Sequence, residues 1–164
     1  MIELFFTVSY RSPSNLVNSS EFADFKSNFK NLHDKINAEK AFATFYTGDF
    51  NGHSKFWWKN GDTTPEGKEI EELLTSLNLS QIILEPTNFL PGKRPSCIDL
   101  IVSDQPNLIL DSGTRPSLDP KCHHQIIFSK INVRIPPPAP FERTVWHYDN
   151  AKVDLLQRSM KNFP

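Results

Sequence analysis

The chain has 164 residues, with 18 Lys and Arg against 19 Asp and Glu and a formal net charge of −1. That length allows one domain whose core needs neither disulfides nor a structural metal, and the charge balance excludes a polycation that holds nucleic acid by charge alone. Two cysteines, Cys97 and Cys122, exclude a disulfide framework, and no apolar stretch approaches the roughly 20 residues of a membrane span. Glu3 near the start is unlike the basic opening of a secretory leader. The expectation is an intracellular chain, nuclear or cytoplasmic, with no membrane partner.

In chain order, "IELFFTVSY" is rich in β-branched and aromatic residues and predicts a strand that enters the loop "RSPS". Phe22, Phe25, Phe29, Leu32 and Ile36 recur every three or four residues and predict a helix, with Asn18 or a neighbouring serine as its N-cap. The apolar run Ala41 to Tyr46 predicts the next strand, which ends in Gly48, Asp49 and Asn51. Such residues end strands as ordinary turns, because Asp and Asn bond their own backbone and glycine takes positive φ. Thr64 and Pro65 predict a cap and first turn, followed by the helical stripe Ile70, Leu73, Leu74 and Leu77. "QIIL", "CIDLIVS" and "HQIIFSKINVRI" predict three more strands, the last two joined by a loop rich in Pro, Ser, Asp and Gly. The class is α/β, a layered core over residues 1–135.

Residues 136–140, "PPPAP", cannot continue a sheet and predict a semi-rigid proline-rich linker. Residues 141–164 form an appendage whose Val153, Leu156, Met160 and Phe163 make one short helical stripe. From Lys121 onward there are seven Lys and Arg against three Asp and Glu, a local excess of +4.

Three apolar segments bring polar chemistry to their ends: Asp49 with Asn51, Asp99, and His123 with His124. If the strands are neighbours, these groups meet at one sheet edge, where layered α/β folds place ligand clefts. A carboxylate that takes a proton, an amide that donates to a charged oxygen and a histidine oriented by a second carboxylate suffice for phosphoryl transfer.

In this order and spacing, "YRSPS", "GDFN", "EPTNF", "SCIDLIVS" and "CHHQI" resemble the endonuclease/exonuclease/phosphatase superfamily, and within it the endonuclease domain of non-LTR retrotransposons. The resemblance runs from Met1 to about Ile135. It implies a two-sheet α/β sandwich, here partial and lacking its N-terminal strands, and a metal-dependent hydrolysis of DNA phosphodiesters with Mg²⁺ as cofactor. It also makes the appendage a connector toward a reverse transcriptase that this chain does not contain. By the same resemblance Asp49 is the water-activating aspartate and Asn51 steadies the water and the phosphate. Tyr10 contacts the scissile phosphate, and Asp99 orients the catalytic histidine, His124.

Two departures bear on this expectation. Cys122, His123 and His124 stand where the family has Ser-Asp-His, so a carboxylate has become His123, assigned here to substrate binding with Lys93 and Arg94 of "PGKRPS". The strands that carry an asparagine and then the Mg²⁺-binding glutamate are expected before "IELFFTVSY", which makes the chain a truncated copy with impaired activity. No residue is assigned as a metal ligand, because no second carboxylate is evident beside Asp49. Two other functions fit the sequence: a non-catalytic remnant or interaction module, and a phosphatase on lipid or inositol phosphates. Zinc is disfavoured, since Cys97, Cys122, His123 and His124 show no C-x-x-C or H-x-x-x-H spacing. "FWWK" at Phe56 to Lys59 reads either as a loop cap over the core or as a base-stacking surface.

Overall fold

Two short polar caps start the helices that cover the sheet. The Ser19 hydroxyl accepts the Phe22 N–H at 3.1 Å and opens α1, Ser20–Ala38, which buries Phe22, Phe29, His33 and Ile36. Thr64 accepts the Gly67 N–H at 3.1 Å and opens α2, Pro65–Ser76, which starts on proline and buries Ile70 and Leu74. The computed structural model of the chain describes residues 3–13 and 16–133. The predicted linker at 136–140 and the appendage at 141–164 lie outside the described residues.

The strands are β1 (Leu4–Tyr10), β2 (Ala43–Asp49), β3 (Ser80–Gln81), β4 (Asp99–Ser103), β5 (Ile109–Arg115) and β6 (Ile126–Ile131), with a 3₁₀ turn at Pro106–Leu108. One sheet has the order β1-β2-β4-β3, and β5 and β6 form a second. β1 runs parallel to β2, while β4 is antiparallel to both β2 and β3. α1 packs on β2 through Phe29, whose ring lies 4.7 Å from that of Tyr46 and 6.0 Å from that of Phe50. Ile109, Ile127 and Ile131 of the second sheet pack against the same buried cluster. The described residues therefore form a two-sheet α/β sandwich of the kind the resemblance implies.

Several boundaries differ from expectation. β2 does not stop at Tyr46 but continues through Gly48 and Asp49. Gly48 allows this: its φ is +144°, and a Cβ there would stand 1.8 Å from the Ser9 carbonyl oxygen of β1. Of "QIIL" only Gln81 remains in a strand, because β3 pairs with β4 at Ser80 and Gln81 alone, although Ile82 still donates to the Ile101 carbonyl at 2.8 Å. The last predicted strand is shorter, Ile126–Ile131, and leaves His124 outside it. The expected loop before it contains β5, "ILDSGTR", which has weak local strand preference and forms because β6 pairs along it.

Candidate active site

The sheet register places the carboxylates. Tyr10 is opposite Asp49 in the β1–β2 ladder, and Asp49 is opposite Asp99 in the β2–β4 ladder. Just past β2, the Asp49 Oδ1 accepts the Asn51 N–H at 2.9 Å while Asn51 adopts φ +48°. The stretch is thus a turn closed by its own aspartate, and that turn presents Asp49 and Asn51 at the sheet edge. The turn and the sheet-edge position are one and the same feature.

Arg11 braces this turn from β1. It is 2% exposed; its Nε donates to the Phe50 carbonyl at 2.6 Å and a terminal nitrogen donates to the Asn51 carbonyl. Its own carbonyl accepts Asn51 Nδ2 at 2.7 Å, and its N–H donates to the Asp49 carbonyl at 2.9 Å. One hydrogen of the Asn51 amide is used in this brace, and the side chain also bonds the Asp49 carboxyl.

His124 reaches the cluster through a different route. The Asn88 backbone bridges to both Ser96 and His124, which ties "EPTNF" to the histidine and to the approach of β4. The buried Thr87 hydroxyl accepts the N–H groups of both Ile98 and Asp99, at 3.1 and 3.0 Å, and so sets where β4 begins. His124 Nδ1 lies 2.9 Å from Asp99 Oδ2 and 3.1 Å from Oδ1, while its Nε2 lies 2.9 Å from Asn88 Nδ2. The Leu90 N–H donates to Asn88 Oδ1 at 3.1 Å, which turns the amide nitrogen toward the imidazole. Nε2 is then the acceptor, and Nδ1 carries the proton that Asp99 holds.

Asp49, Asn51, Asp99 and His124 therefore converge, with Tyr10 beside Asp49 on the exposed rim. Lys93 and Arg94 line a cavity of about 450 Å³ together with Asn51 and Asn88. His123 is exposed next to His124, and its carbonyl accepts the Phe89 N–H at 2.8 Å. A cavity of about 470 Å³ between β1 and α1 includes Tyr10 but none of the other four. Arg11, Thr87 and Asn88 have no role in the sequence reading, although "YRSPS" and "EPTNF" carry them.

One reading changes. Asp99 is the second carboxylate beside Asp49 that the sequence does not reveal: ligand atoms of Asp49, Asp99 and His124 lie within 4.8 Å of one another. Burial, with the negative charge of Asp99 added, pushes the Asp49 carboxyl above its ordinary range, against the pull of the Asn51 hydrogen bond and His124. A hard cation taken up through oxygens of the two aspartates would relieve that repulsion, so the residues present fit a magnesium ion that keeps water and phosphate oxygens as its other ligands. Cys97 is buried and its thiol is pushed up to about 12 by burial, away from metal chemistry.

Comparisons with known proteins agree with the fold. The profile of the endonuclease-reverse transcriptase family matches residues 4–127, and the chain belongs to that family. Among solved structures, the endonuclease domain of TRAS1, a telomere-specific non-LTR retrotransposon, is similar at 20% identity and TM-score 0.62, over 77% of this chain and 56% of that one. A 3′ phosphatase NExo from Neisseria bound to a product DNA hairpin is similar at 17% identity and TM-score 0.54, over 76% and 59%. An AP endonuclease from Archaeoglobus fulgidus follows at 12% identity and TM-score 0.50, over 77% and 60%. The chain thus spans less than two thirds of the length of these structures. A search of curated proteins finds no match.

Proposed function

We propose that this site hydrolyses phosphodiester bonds of DNA with a divalent cation, magnesium by preference, as the endonuclease part of a retroelement protein. The observation that supports the reading most is the line Asn88–His124–Asp99 standing beside Asp49 at the ends of β2 and β4. The family description joins the endonuclease to a reverse transcriptase, which is the partner domain proposed for the whole protein.

In this reading Asp49 takes the proton of the attacking water. Asn51 donates from its amide to a phosphate oxygen, and Tyr10 donates its hydroxyl from the opposite rung. A phosphate oxygen between Asn88 Nδ2 and His124 Nε2 accepts from both once the imidazole takes its second proton, with Asp99 balancing the charge. A bound cation supplies further charge stabilisation at the phosphate and the leaving oxygen.

The test is nicking of supercoiled plasmid by the purified chain. Mg²⁺-dependent nicking is expected, reduced about a hundredfold or more in Asp49→Ala and in His124→Ala. Nicking indifferent to both substitutions would overturn the assignments, and DNA binding without nicking would favour a non-catalytic module.

A further inference from the structure

Arg11 is a buried cation that the phosphate chemistry does not use. Burial pulls its pKa down, against the charges of Glu66, Asp49 and Tyr10, yet a guanidinium keeps its proton in any protein interior. For stability alone such a charge is a poor choice, since a well-packed apolar side chain of similar volume serves a core at least as well.

What the charge addresses is main chain. Nε donates to the Phe50 carbonyl at 2.6 Å, one terminal nitrogen to the Ser12 carbonyl at 3.1 Å, and the other to the Asn51 carbonyl. These acceptors lie in the loop after β1 and in the turn after β2, so one rigid planar fork fixes the two segments against each other. Both helix starts meet at the same place. The guanidinium carbon stands 5.4 Å from the Phe22 ring in the first turn of α1. Glu66, in the first turn of α2, faces it with negative charge and accepts the Val17 N–H at 3.2 Å.

Asn51 is the residue this junction constrains. Its φ of +48° lies in the left-handed region, where a side chain persists only if the surroundings over-determine it. Arg11 does so from two sides: the fork holds the Asn51 carbonyl, and the Arg11 carbonyl takes Asn51 Nδ2 at 2.7 Å. The Arg11 N–H holds the Asp49 carbonyl at 2.9 Å, so the aim of both side chains is set together.

We propose that Arg11 is a positioning residue for the reaction: buried beneath the site, it locks Asn51 in the left-handed conformation and thereby aims Asp49 and Asn51. This rests on the DNA-hydrolase reading above and adds the residue that sets its geometry. Lysine cannot replace it, because a single ammonium nitrogen does not span the carbonyls that the fork reaches.

The experiment compares wild type with Arg11→Lys and Arg11→Ala in plasmid nicking and, without metal, in NMR spectra whose Asn51 carbon shifts report its backbone conformation. Both variants should lose roughly a hundredfold in kcat, the scale of a misplacement of about 1 Å, with KM little changed. Their Asn51 shifts should leave the left-handed range. Dilute guanidinium chloride should return both rate and shifts in Arg11→Ala, and sodium chloride of equal ionic strength should return neither. A folded variant with the wild-type rate, a rate lost while the Asn51 shifts stay unchanged, or guanidinium that raises the melting temperature of Arg11→Ala without restoring its rate would each overturn the role. If the alanine variant does not fold, the lysine variant decides by the same rate and shifts, and failure of both to fold would make Arg11 structural only and overturn it too. If wild type does not nick, the spectra decide: Asn51 shifts that return with guanidinium retain the lock and drop the reaction.

Discussion

Asp49 faces Asp99 directly across an antiparallel ladder, so two carboxylates occupy one rung at the end of β2 and β4. Like charges on facing rungs are destabilising, and partial burial of Asp49 adds to the cost. The rung is thus a poor choice for stability and a good one for binding positive charge.

Removing one of the charges should stabilise the fold. The Asp49 pKa is raised above its ordinary 3.8, so the native state binds the proton more readily than the unfolded chain and stability falls as pH rises from that value through the raised one. Asp49→Asn keeps an oxygen for the Asn51 N–H and removes the charge. In EDTA at pH 7 its melting temperature should exceed that of wild type by about 1 to 4 °C, and the gain should vanish below the ordinary carboxylate range. A melting-temperature series against pH checks it, and a gain that persists in acid would point to another cause.

Magnesium should stabilise the chain through the same rung. At tenfold excess over its Kd a ligand specific to the native state adds about 1.4 kcal/mol, so thermal melting should rise with Mg²⁺ in wild type and stay flat in Asp49→Asn. The sequence alone favours feeble binding, on the ground that Asp49 stands by itself. Calorimetric titration with no heat of binding up to high millimolar Mg²⁺ would restore that view.

Asp99 should act through His124. Asp99→Asn removes the negative charge that steadies Nδ1–H and balances the protonated imidazole, and nicking should drop by roughly a hundredfold or more. Because the two form one unit, Asp99→Asn combined with His124→Ala should be no slower than His124→Ala alone. Multiplied losses would show that Asp99 also works independently of His124, through the cation it shares with Asp49.

Gly67 should refuse alanine. In the first turn of a helix that exchange ordinarily helps by up to about 1 kcal/mol, but here a Cβ would stand 1.7 Å from the His53 carbonyl oxygen. The melting temperature of Gly67→Ala should fall by roughly 4 °C or more, and the His53 backbone signals should shift in an NMR spectrum. A stabilised variant would show that α2 and the His53 loop are less closely seated than described.

What the sequence makes legible here is what has a local period or a local cap. The α1 stripe from Phe22 to Ile36, the Thr64–Pro65 start of α2 and the polar tip of β2 all stand out within a few residues. Asp99 and His124 are suspected from strand ends and from resemblance, and they do meet. Asn88, Thr87 and Arg11 escape notice because each acts on a partner 11 to 40 residues away, with no spacing to betray it. The Asp49–Asp99 rung is hidden for the same reason, being a property of register between strands. β5 is missed because Asp111, Ser112 and Gly113 read locally as loop, and only β6 makes them a strand.

β1 carries one more consequence. It ends its sheet, and its seven residues include no charge, proline or glycine, while Phe6 and Val8 are 62% and 86% exposed. Among the described residues no strand pairs with its outer side, and such a border offers a template to other chains, because nothing on it repels a newcomer. The purified protein should therefore lose solubility with rising concentration and with time. A lysine placed at Val8 should slow that loss.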